Sequence, residues 1–434
     1  MATLRVVDLL ISIGPCACHP GRDLERPCST HGAASRARQD RSYPIAKTAF
    51  VATYTPQRCG IATFTADLGR AVGGREIVAL RRPGEVGGQG HLVHHVIHTE
   101  VRADYARVAR ALGGCDVRMV SIQHEYGIWG PDDGEGVLDF LAALTMPAVV
   151  TLHTVLRHPS PAQHRIMRGM LEAAAAVVVM SRAAATILGE RYGADLTKVE
   201  IIPHGVPDLP FVEPNSVKPS LGLHGRQVLL SFGLVGPSKG YEAVIEALPA
   251  VVREVPDTRY VILGATHPEL LRTEGERYRE RLAVLAADLG MTGHVVFVDR
   301  FVEQSELSRW LEAADVFVTP YPNLGQIVSG TLSYAMAAGK ASVSTPYLYA
   351  SEILADGRGR LVPTGDPAAM SAALVELLQD RGMRTAMAKR AYGHGRGMIW
   401  SRVAADYERL FMKLRMVPRS VAMPIMPGIA VPSA

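Results

Sequence analysis

Cysteine, basic runs and long apolar runs are all scarce in this chain of 434 residues, and each shortage excludes a class of protein. The five cysteines lack the Cys-x-x-Cys spacing of a zinc site, and their odd number favours a reducing compartment, the cytoplasm. The longest stretch without a polar residue, glycine or proline, residues 173–180, is far shorter than the roughly 20 residues that cross a bilayer. A formal charge of only +4, without a dense basic run, argues against a nucleic acid partner.

What the sequence does contain is typical of a large α/β protein. Apolar residues are 48% and charged residues 20% of the chain, enough to bury a substantial core. From residue 47 onward, short β-rich stretches alternate with helical patterns, and this alternation predicts two doubly wound domains with parallel sheets. The predicted strands are residues 50–53, 117–123, 149–153, 177–180 and 199–202 and, after a proline-rich linker at 207–223, residues 228–232, 260–263, 295–298, 316–319, 341–344 and 360–362.

The two ends of the chain do not continue this pattern. Residues 1–46 hold three of the five cysteines and show no sustained period, so they are predicted to be a poorly ordered extension. Asp8 interrupts the short apolar stretch near the start, and no secretion signal is predicted. Residues 400–414 carry apolar side chains at helical spacing and are predicted to form a docking helix, followed by a flexible tail at 415–434.

A loop at residues 231–240 is the first candidate for ligand binding. It follows an apolar strand and precedes a helical pattern, so its backbone N–H groups can face an anion. Ser238 and Gly240 stand where a Walker phosphate loop needs Gly and Ser/Thr, which excludes that class of nucleotide-binding protein. Gly233 and Lys239 are the candidate ligand-binding residues of the loop. The alternative is a solvated lysine at a helix start, although lysine is rare in this chain, with seven against 39 arginines.

A second candidate is the run Ser329, Gly330 and Thr331, which precedes another helical pattern. The side chains can cap this helix while its free N–H groups bind a second phosphate oxygen; the alternative is a plain N-cap.

No metal site is predicted. Asp132 and Asp133 lie in a turn without a third ligand. Ile128 stands where a zinc-binding helix would need a second histidine after His124.

Five segments resemble the retaining glycosyltransferases of family 4: residues 50–68 (FVATYTPQRCGIATFTADL), 201–208 (IIPHGVPD), 229–249 (LLSFGLVGPSKGYEAVIEALP), 313–321 (AADVFVTPY) and 334–347 (YAMAAGKASVSTPY). The similarity extends over about residues 48–413. It implies a GT-B fold, in which two Rossmann-like domains face each other across a cleft and the last helix crosses back onto the N-terminal domain. The implied boundaries are 47–212 for the acceptor domain, 213–395 for the nucleotide-sugar domain and 396–414 for the crossing helix.

The same resemblance implies donor-binding roles for individual residues. Lys239 matches the diphosphate-binding lysine of the family, and Gly60 matches the glycine-loop position that lets the backbone approach the donor phosphates. His153 matches a histidine near the donor sugar, whereas on its own a histidine that ends a buried strand is more often a satisfied core residue. The main chain at Phe301 and Val302 matches the slot for the nucleobase.

Three positions depart from the family pattern. Leu234 stands where the family has an arginine, and Gln326 and Tyr334 replace the two glutamates of its Glu-x7-Glu pair. Gln326 can still hydrogen-bond to sugar hydroxyls but cannot stabilise a developing positive charge as a carboxylate would, and Tyr334 keeps one hydroxyl for ribose. Three hypotheses stay open: a transferase with altered sugar contacts, a relative that uses inorganic phosphate, and a fold retained for binding.

Acceptor binding is predicted at polar and aromatic residues that follow strand ends in the N-terminal half, where α/β folds place ligand-binding loops. Aromatic faces there suit a sugar ring, although without the resemblance these are ordinary loop residues. The predicted acceptor residues are Tyr54, Arg58, His124, Glu125, Tyr126 and Trp129. Glu352 matches a glutamate of another family segment and either closes the sheet end or serves a structural role.

The prediction is therefore a cytoplasmic, metal-independent retaining hexosyltransferase of the EC 2.4 class, with His153, Lys239 and Gln326 as catalytic residues. Its expected partners are a nucleoside diphosphate sugar as donor and a hydroxyl of a glycan, lipid or small sugar as acceptor. No cofactor and no nucleic acid partner are expected, and any membrane contact is expected to be peripheral. The alternatives are a sugar phosphorylase on the same fold and a non-catalytic sugar- or nucleotide-binding protein.

Overall fold

Two parallel β-sheets carry the fold, as the alternating sequence pattern predicts. The computed structural model describes residues 48–74, 76–85 and 93–415, which all belong to one compact unit. The predictions for residues 1–46 and for nearly all of the tail at 415–434 lie outside these described residues. The first sheet contains β1 (Thr48–Ala52), β2 (Glu76–Arg81), β3 (Val93–His98), β4 (Met119–His124), β5 (Ala148–Leu152), β6 (Ala176–Val179) and β7 (Val199–Ile201). The second contains β8 (Gln227–Phe232), β9 (Thr258–Leu263), β10 (Val295–Val298), β11 (Val316–Thr319), β12 (Ala341–Ser344) and β13 (Arg360–Leu361).

The strand order predicts a ligand-binding crevice in each half. Along the sheets the orders are β3-β2-β1-β4-β5-β6-β7 and β10-β9-β8-β11-β12-β13, with every pair parallel. In both sheets the chain starts in the middle, runs to one edge and then returns to build the other side. The connections that leave β1 and β4, or β8 and β11, therefore diverge, and ligands bind outside the carboxyl ends of strands at such a switch point.

Helices alternate with the strands, and their starts follow local sequence signals. Ser160, for example, forms a reciprocal capping box with Gln163, and Pro161 takes the first helical position. The helices are α1 (Gly60–Ala71), α2 (Arg102–Gly114), α3 (Gly136–Ala143), α4 (Pro161–Ala173), α5 (Arg182–Tyr192), α6 (Pro214–Val217), α7 (Tyr241–Glu254), α8 (Pro268–Glu274), α9 (Arg277–Asp288), α10 (Gln304–Ala313), α11 (Gly330–Ala337), α12 (Leu348–Ile353), α13 (Pro367–Gln379), α14 (Arg381–Gly395) and α15 (Trp400–Arg415).

Each strand predicted from the sequence is present, with ends that differ by at most two residues. The prediction omitted β2 and β3. Strand β3 reads VHHVIH, and its side chains are mostly exposed or half-buried because it forms the edge of the sheet. An edge strand rich in histidine lacks the continuous apolar run by which the buried parallel strands were found.

The last helix crosses from the second sheet back to the first. Helix α14 packs against α11 and β12, whereas α15 packs against α1. Val403, Tyr407 and Phe411 of α15 join Phe50 and Phe64 in one buried cluster. The two segments that cross between the halves are paired with each other through backbone hydrogen bonds from Val206 N to Met398 O (3.0 Å) and from Trp400 N to Val206 O (2.9 Å).

Candidate functional site

Lys239 lies beside the start of α11, at the carboxyl ends of β8 and β11. Its Nζ is 4.5 Å from the centre of the Tyr321 ring and 3.4 Å from the Tyr321 hydroxyl. That hydroxyl is 2.7 Å from Thr331 Oγ1, which is in turn 3.1 Å from Ser329 Oγ. The two stretches singled out in the sequence therefore form one polar cluster around a cation.

Two glycines allow the loop after β8 to reach this cluster. Gly240 has φ +64°, and a Cβ there would lie 2.2 Å from Pro320 O, so a side chain would force the turn open. Gly233 has φ +131°, and its Cβ position is 3.4 Å from Thr331 Cγ2 and 4.0 Å from Lys239 Cε. Both positions need the left-handed backbone that glycine tolerates.

The N-terminus of α11 is open to an anion. Ser329 caps the helix, since its Oγ accepts a hydrogen bond from Leu332 N at 3.3 Å. In the part of the chain that the structure describes, no hydrogen bond is recorded for the N–H of Gly330 or Thr331. Together with Lys239 these N–H groups and the helix dipole form a site for negative charge.

A second helix start, that of α1, lies in the N-terminal half. The Cys59 thiol caps α1 by accepting from Ala62 N at 3.2 Å. The neighbouring Arg58 reaches across to the second half, where its Cζ lies 6.0 Å from the centre of the Phe301 ring. Gly60, the first residue of α1, is exposed, and a Cβ there would meet no atom within 4 Å.

Replacing Gly60 with alanine tests whether this open space holds a ligand. We expect Gly60→Ala to leave the thermal stability unchanged, because the added methyl meets no protein atom. We also expect it to weaken donor binding about tenfold, since it fills space that a closely approaching phosphate needs. Titration with a nucleoside diphosphate sugar measures the second effect. Unchanged affinity would show that no ligand approaches this backbone.

Three partly or fully buried histidines lie next to this region. His153 Nε2 is 3.0 Å from Gln123 Oε1, and the Phe64 ring lies with its centre 5.0 Å from both His153 and His204. Burial, together with smaller effects of the nearby His204 and His124, lowers the pKa of His153 to about 3. Burial also lowers the pKa of His124 to about 3 and that of His204 to about 4. The three rings are therefore neutral at pH 7.

His204 received no role from the sequence, yet it lies next to Gly330. A Cβ on Gly330 would be 3.0 Å from His204 Nε2, so the ring faces the start of α11 from the opposite half. Its position shortly after β7 was the available signal, because the other ligand-binding candidates also follow strand ends.

Gln326 and Tyr334, the two positions at which the sequence is expected to lack glutamates, lie on the segment that leads into α11 and on α11 itself. Gln326 Nε2 donates to Val328 O at 2.8 Å, which uses an amide hydrogen that a carboxylate lacks. Tyr334 is largely buried, with its ring 6.4 Å from His204 and its hydroxyl donating to Gln304 Oε1 at 3.3 Å. Burial raises the pKa of Tyr334, so the hydroxyl stays protonated at pH 7.

Polar contacts join the two halves beside the site. Ser181 Oγ donates to Ile327 O at 2.8 Å. The carboxylate of Glu352 accepts from Arg182 N at 3.0 Å and from Ala183 N at 3.2 Å, so it occupies the start of α5 in the other half. Glu352 was expected either to close the sheet end or to have a structural role, and this geometry favours the structural role.

The structure places the predicted acceptor residues in two groups. His124, Tyr126 and Trp129 are buried, with Trp129 Nε1 donating to Gln123 O at 3.1 Å, so their rings support the strand ends from inside the core. This burial contradicts the expectation that the Tyr126 and Trp129 ring faces are open to a sugar. Glu125 caps a short turn by accepting from Gly127 N at 2.9 Å. Tyr54 is partly exposed, and Arg58 faces Phe301 in the half predicted to bind the donor.

Two kinds of feature are absent from the residues that the structure describes. Among them, no three histidine, cysteine or acidic side chains are grouped as metal ligands would be. None of the described helices is both long and apolar enough to cross a bilayer.

Comparisons of the sequence match this chain to known glycosyltransferases. The family described as Glycosyltransferase Family 4 matches residues 60–208, and Glycosyl transferases group 1 matches residues 226–380. A phosphatidyl-myo-inositol mannosyltransferase of Mycolicibacterium smegmatis is 31% identical over 51% of this chain and 53% of the relative. A D-inositol 3-phosphate glycosyltransferase of Xylanimonas cellulosilytica is 30% identical over 60% of this chain and 64% of the relative. The chain thus spans about half to two thirds of the length of these relatives.

Solved structures show the same fold at low sequence identity. Anabaena Alr3699/HepE in complex with UDP has a TM-score of 0.69 at 16% identity, covering 85% of this chain and 100% of that one. Sucrose-phosphate synthase from Thermosynechococcus elongatus has a TM-score of 0.69 at 17% identity, covering 85% of this chain and 99% of that one.

Proposed function

This chain belongs to the group 1 glycosyltransferases of family 4, with a GT-B fold, and on that premise we propose that it transfers a hexosyl group from a nucleoside diphosphate sugar to a hydroxyl acceptor with retention of configuration. The observation that carries the proposal is the convergence of the Lys239 ammonium with the open start of α11 at the carboxyl ends of β8 and β11. Such a site suits a diphosphate leaving group.

The main task of the site is to stabilise the negative charge that develops on the leaving diphosphate. As the bond from the anomeric carbon to the phosphate oxygen breaks, negative charge grows on the diphosphate. Lys239 and the N–H groups of Gly330 and Thr331 face that charge from one half, and the N–H groups at the start of α1 face it from the other. The acceptor oxygen forms its bond on the same face of the sugar, and its proton passes to the departing phosphate oxygen.

Neutral hydrogen-bonding groups would hold the donor sugar. His153 is uncharged at pH 7 because its pKa is lowered to about 3, so it adds no positive charge next to an anomeric carbon that becomes positive. Gln326 is also uncharged and offers a carbonyl oxygen to a sugar hydroxyl while its amide holds Val328 O. The donor sugar is therefore bound by groups that do not titrate near neutral pH.

Transfer and its stereochemistry can be tested directly. Purified protein is screened by thermal shift with UDP-glucose, GDP-mannose and ADP-glucose, and the stabilising donor is then incubated with myo-inositol 3-phosphate and with phosphatidylinositol vesicles. Those acceptors are chosen because relatives of this chain are named for inositol phosphate and phosphatidyl-myo-inositol. We expect a product whose anomeric proton coupling in the NMR spectrum matches that of the donor. Conversion of a glycoside to a sugar 1-phosphate by inorganic phosphate, with no nucleotide present, would favour a phosphorylase, and binding without turnover would favour a binding protein.

Restoring a glutamate at position 326 tests whether the unusual glutamine is an adaptation. We expect Gln326→Glu to lower transfer about tenfold, because a carboxylate cannot donate to Val328 O and would repel it. The matched control is Gln379→Glu, which adds the same charge at an exposed position at the end of α13. A large gain in the rate of transfer would contradict the hypothesis that Gln326 is an adaptation. It would indicate instead that the wild-type chain lost activity when it lost the glutamate.

A further inference from the structure

The ring of His204 has a defined tautomer. Its Nδ1 lies 2.8 Å from Gly205 O, and a carbonyl oxygen can only accept a hydrogen bond, so Nδ1 carries the hydrogen. In the neutral ring Nε2 is then a bare acceptor. Within the described residues, no group donates a hydrogen bond to Nε2. The nitrogen is also not sealed off from solvent.

This acceptor faces the region where the donor phosphates are proposed to bind. A Cβ on Gly330 would lie 3.0 Å from Nε2, so the nitrogen is next to the first residue of α11. The open N–H groups of Gly330 and Thr331 attract phosphate oxygens to the same place. A bare nitrogen lone pair beside a phosphate oxygen is repulsive, whereas a protonated nitrogen there would donate a charge-assisted hydrogen bond.

We propose that His204 is a further donor-binding residue: its Nε2 takes up a proton from the solvent when a nucleoside diphosphate sugar binds, and donates a hydrogen bond to a phosphate oxygen. This inference rests on the proposed function, because it requires the diphosphate at the start of α11. It supplies a second cation opposite Lys239, from the other half of the molecule. Leu234, in the same loop as Lys239, is uncharged and cannot supply one.

The surroundings of the ring keep it neutral until an anion arrives. The Phe64 ring from α1 and the Tyr334 ring from α11 pack against it, and Trp400 packs on the adjacent Gly205. Among the described residues, the titratable groups in contact with or acting on His204 and its neighbours are His153 and Tyr334, both uncharged at pH 7, and Asp67 of α1, which acts on Tyr334. Burial lowers the pKa of His204 to about 4, and the hydrogen bond to Gly205 O opposes this only in part. A phosphate in contact with Nε2 favours the charged ring.

Proton uptake on donor binding is the direct test. Isothermal titration calorimetry of the full chain with UDP-glucose, GDP-mannose and ADP-glucose is run at pH 6 in buffers that differ in ionisation enthalpy. Nucleotide sugars are the right probes because their diphosphate is doubly esterified and has no titration of its own near pH 6. For the donor that binds, we expect uptake of about one proton and an affinity that weakens about tenfold as pH rises from 5.5 to 6.5.

Variants assign the proton to one ring. His204→Gln keeps a hydrogen-bonding group but cannot be protonated, so we expect no proton uptake and an affinity independent of pH over the same range. His224→Gln, at an exposed position of the second half, is the matched control and should behave like the wild-type chain. A nitrogen-15 NMR spectrum of labelled histidine should show the Nδ1–H tautomer of His204 without ligand and the doubly protonated ring with the donor.

Each contrary outcome has a separate meaning. Donor binding without proton uptake, or uptake that survives in His204→Gln, overturns the role of His204 and leaves the proposed function standing. Failure of all three nucleotide sugars to bind the wild-type chain overturns the proposed function, and the inference with it. If His204→Gln is poorly folded by thermal shift, the NMR spectrum of the wild-type chain decides, since a ring that stays neutral with donor bound contradicts the proposal.

Discussion

Lys239→Ala should lower kcat for sugar transfer by about 10²- to 10³-fold, the loss expected when one preorganised charge contact is removed from a closed site. The Lys239 ammonium packs on the Tyr321 ring, 4.5 Å from its centre, and faces the open start of α11. Tyr321 and Thr331 lie within hydrogen-bond distance of each other at 2.7 Å without any contribution from Lys239, so we expect the rest of the cluster to keep its arrangement in the variant. Steady-state kinetics with saturating donor measure the effect.

The control for this variant is Lys389→Ala, at an exposed position of α14. It removes the same charge from the chain, and we expect wild-type turnover. Equal turnover in Lys239→Ala and Lys389→Ala would exclude Lys239 from stabilising the leaving group.

Asp315→Ala should have the largest effect on stability, with a loss of about 3 to 5 kcal/mol in the free energy of unfolding. Asp315 Oδ2 is 2.6 Å from Lys218 Nζ and accepts from Val228 N at 2.7 Å, and both charged side chains are buried. The variant leaves the buried Lys218 cation with Asn215 Oδ1 in place of a charged partner, and it removes the acceptor of the Val228 N–H. At about 2 to 4 °C per kcal/mol, the melting temperature of this half of the molecule should fall by roughly 6 to 20 °C.

Asp257→Ala is the matched control, because Asp257 forms an exposed ion pair with Arg226 at 2.8 Å. Exposed pairs contribute about 0 to 1 kcal/mol, so the melting temperature should change little. A small change in Asp315→Ala as well would mean that water reaches the Lys218 pair and that it is not a buried ion pair. Asp315 lies at the amino ends of β8 and β11, opposite the proposed site. At a temperature where the variant is folded, its rate of sugar transfer should therefore equal that of the wild-type chain.

The polar cluster and the buried strands, β2 excepted, were predictable from local sequence signals. A strand covered on both faces is a short apolar run, and a helix start beside its carboxyl end needs a capping residue or glycine; β11 and Ser329 carry these signals. The edge strand β3 has no such run. Its histidines are tolerated because one side of the strand faces solvent, so the sequence resembles a loop.

Contacts between distant segments were not predictable. Trp129 is an aromatic residue in a loop after a strand, which fits a sugar-binding surface equally well, but the fold packs it beneath Gln123. His204 lies next to Gly330 and two residues before Val206, where the two crossing segments pair. Sequence spacing within one half carries no information about the residues that the other half brings opposite.

The most direct test of the central claim is a crystal structure with UDP, GDP or ADP bound, using whichever of the three raises the melting temperature most. We expect its diphosphate oxygens about 3 Å from Lys239 Nζ and from the N–H groups of Gly330 and Thr331. A diphosphate bound elsewhere, with the Lys239 ammonium still in contact with Tyr321 and solvent alone, would contradict the account.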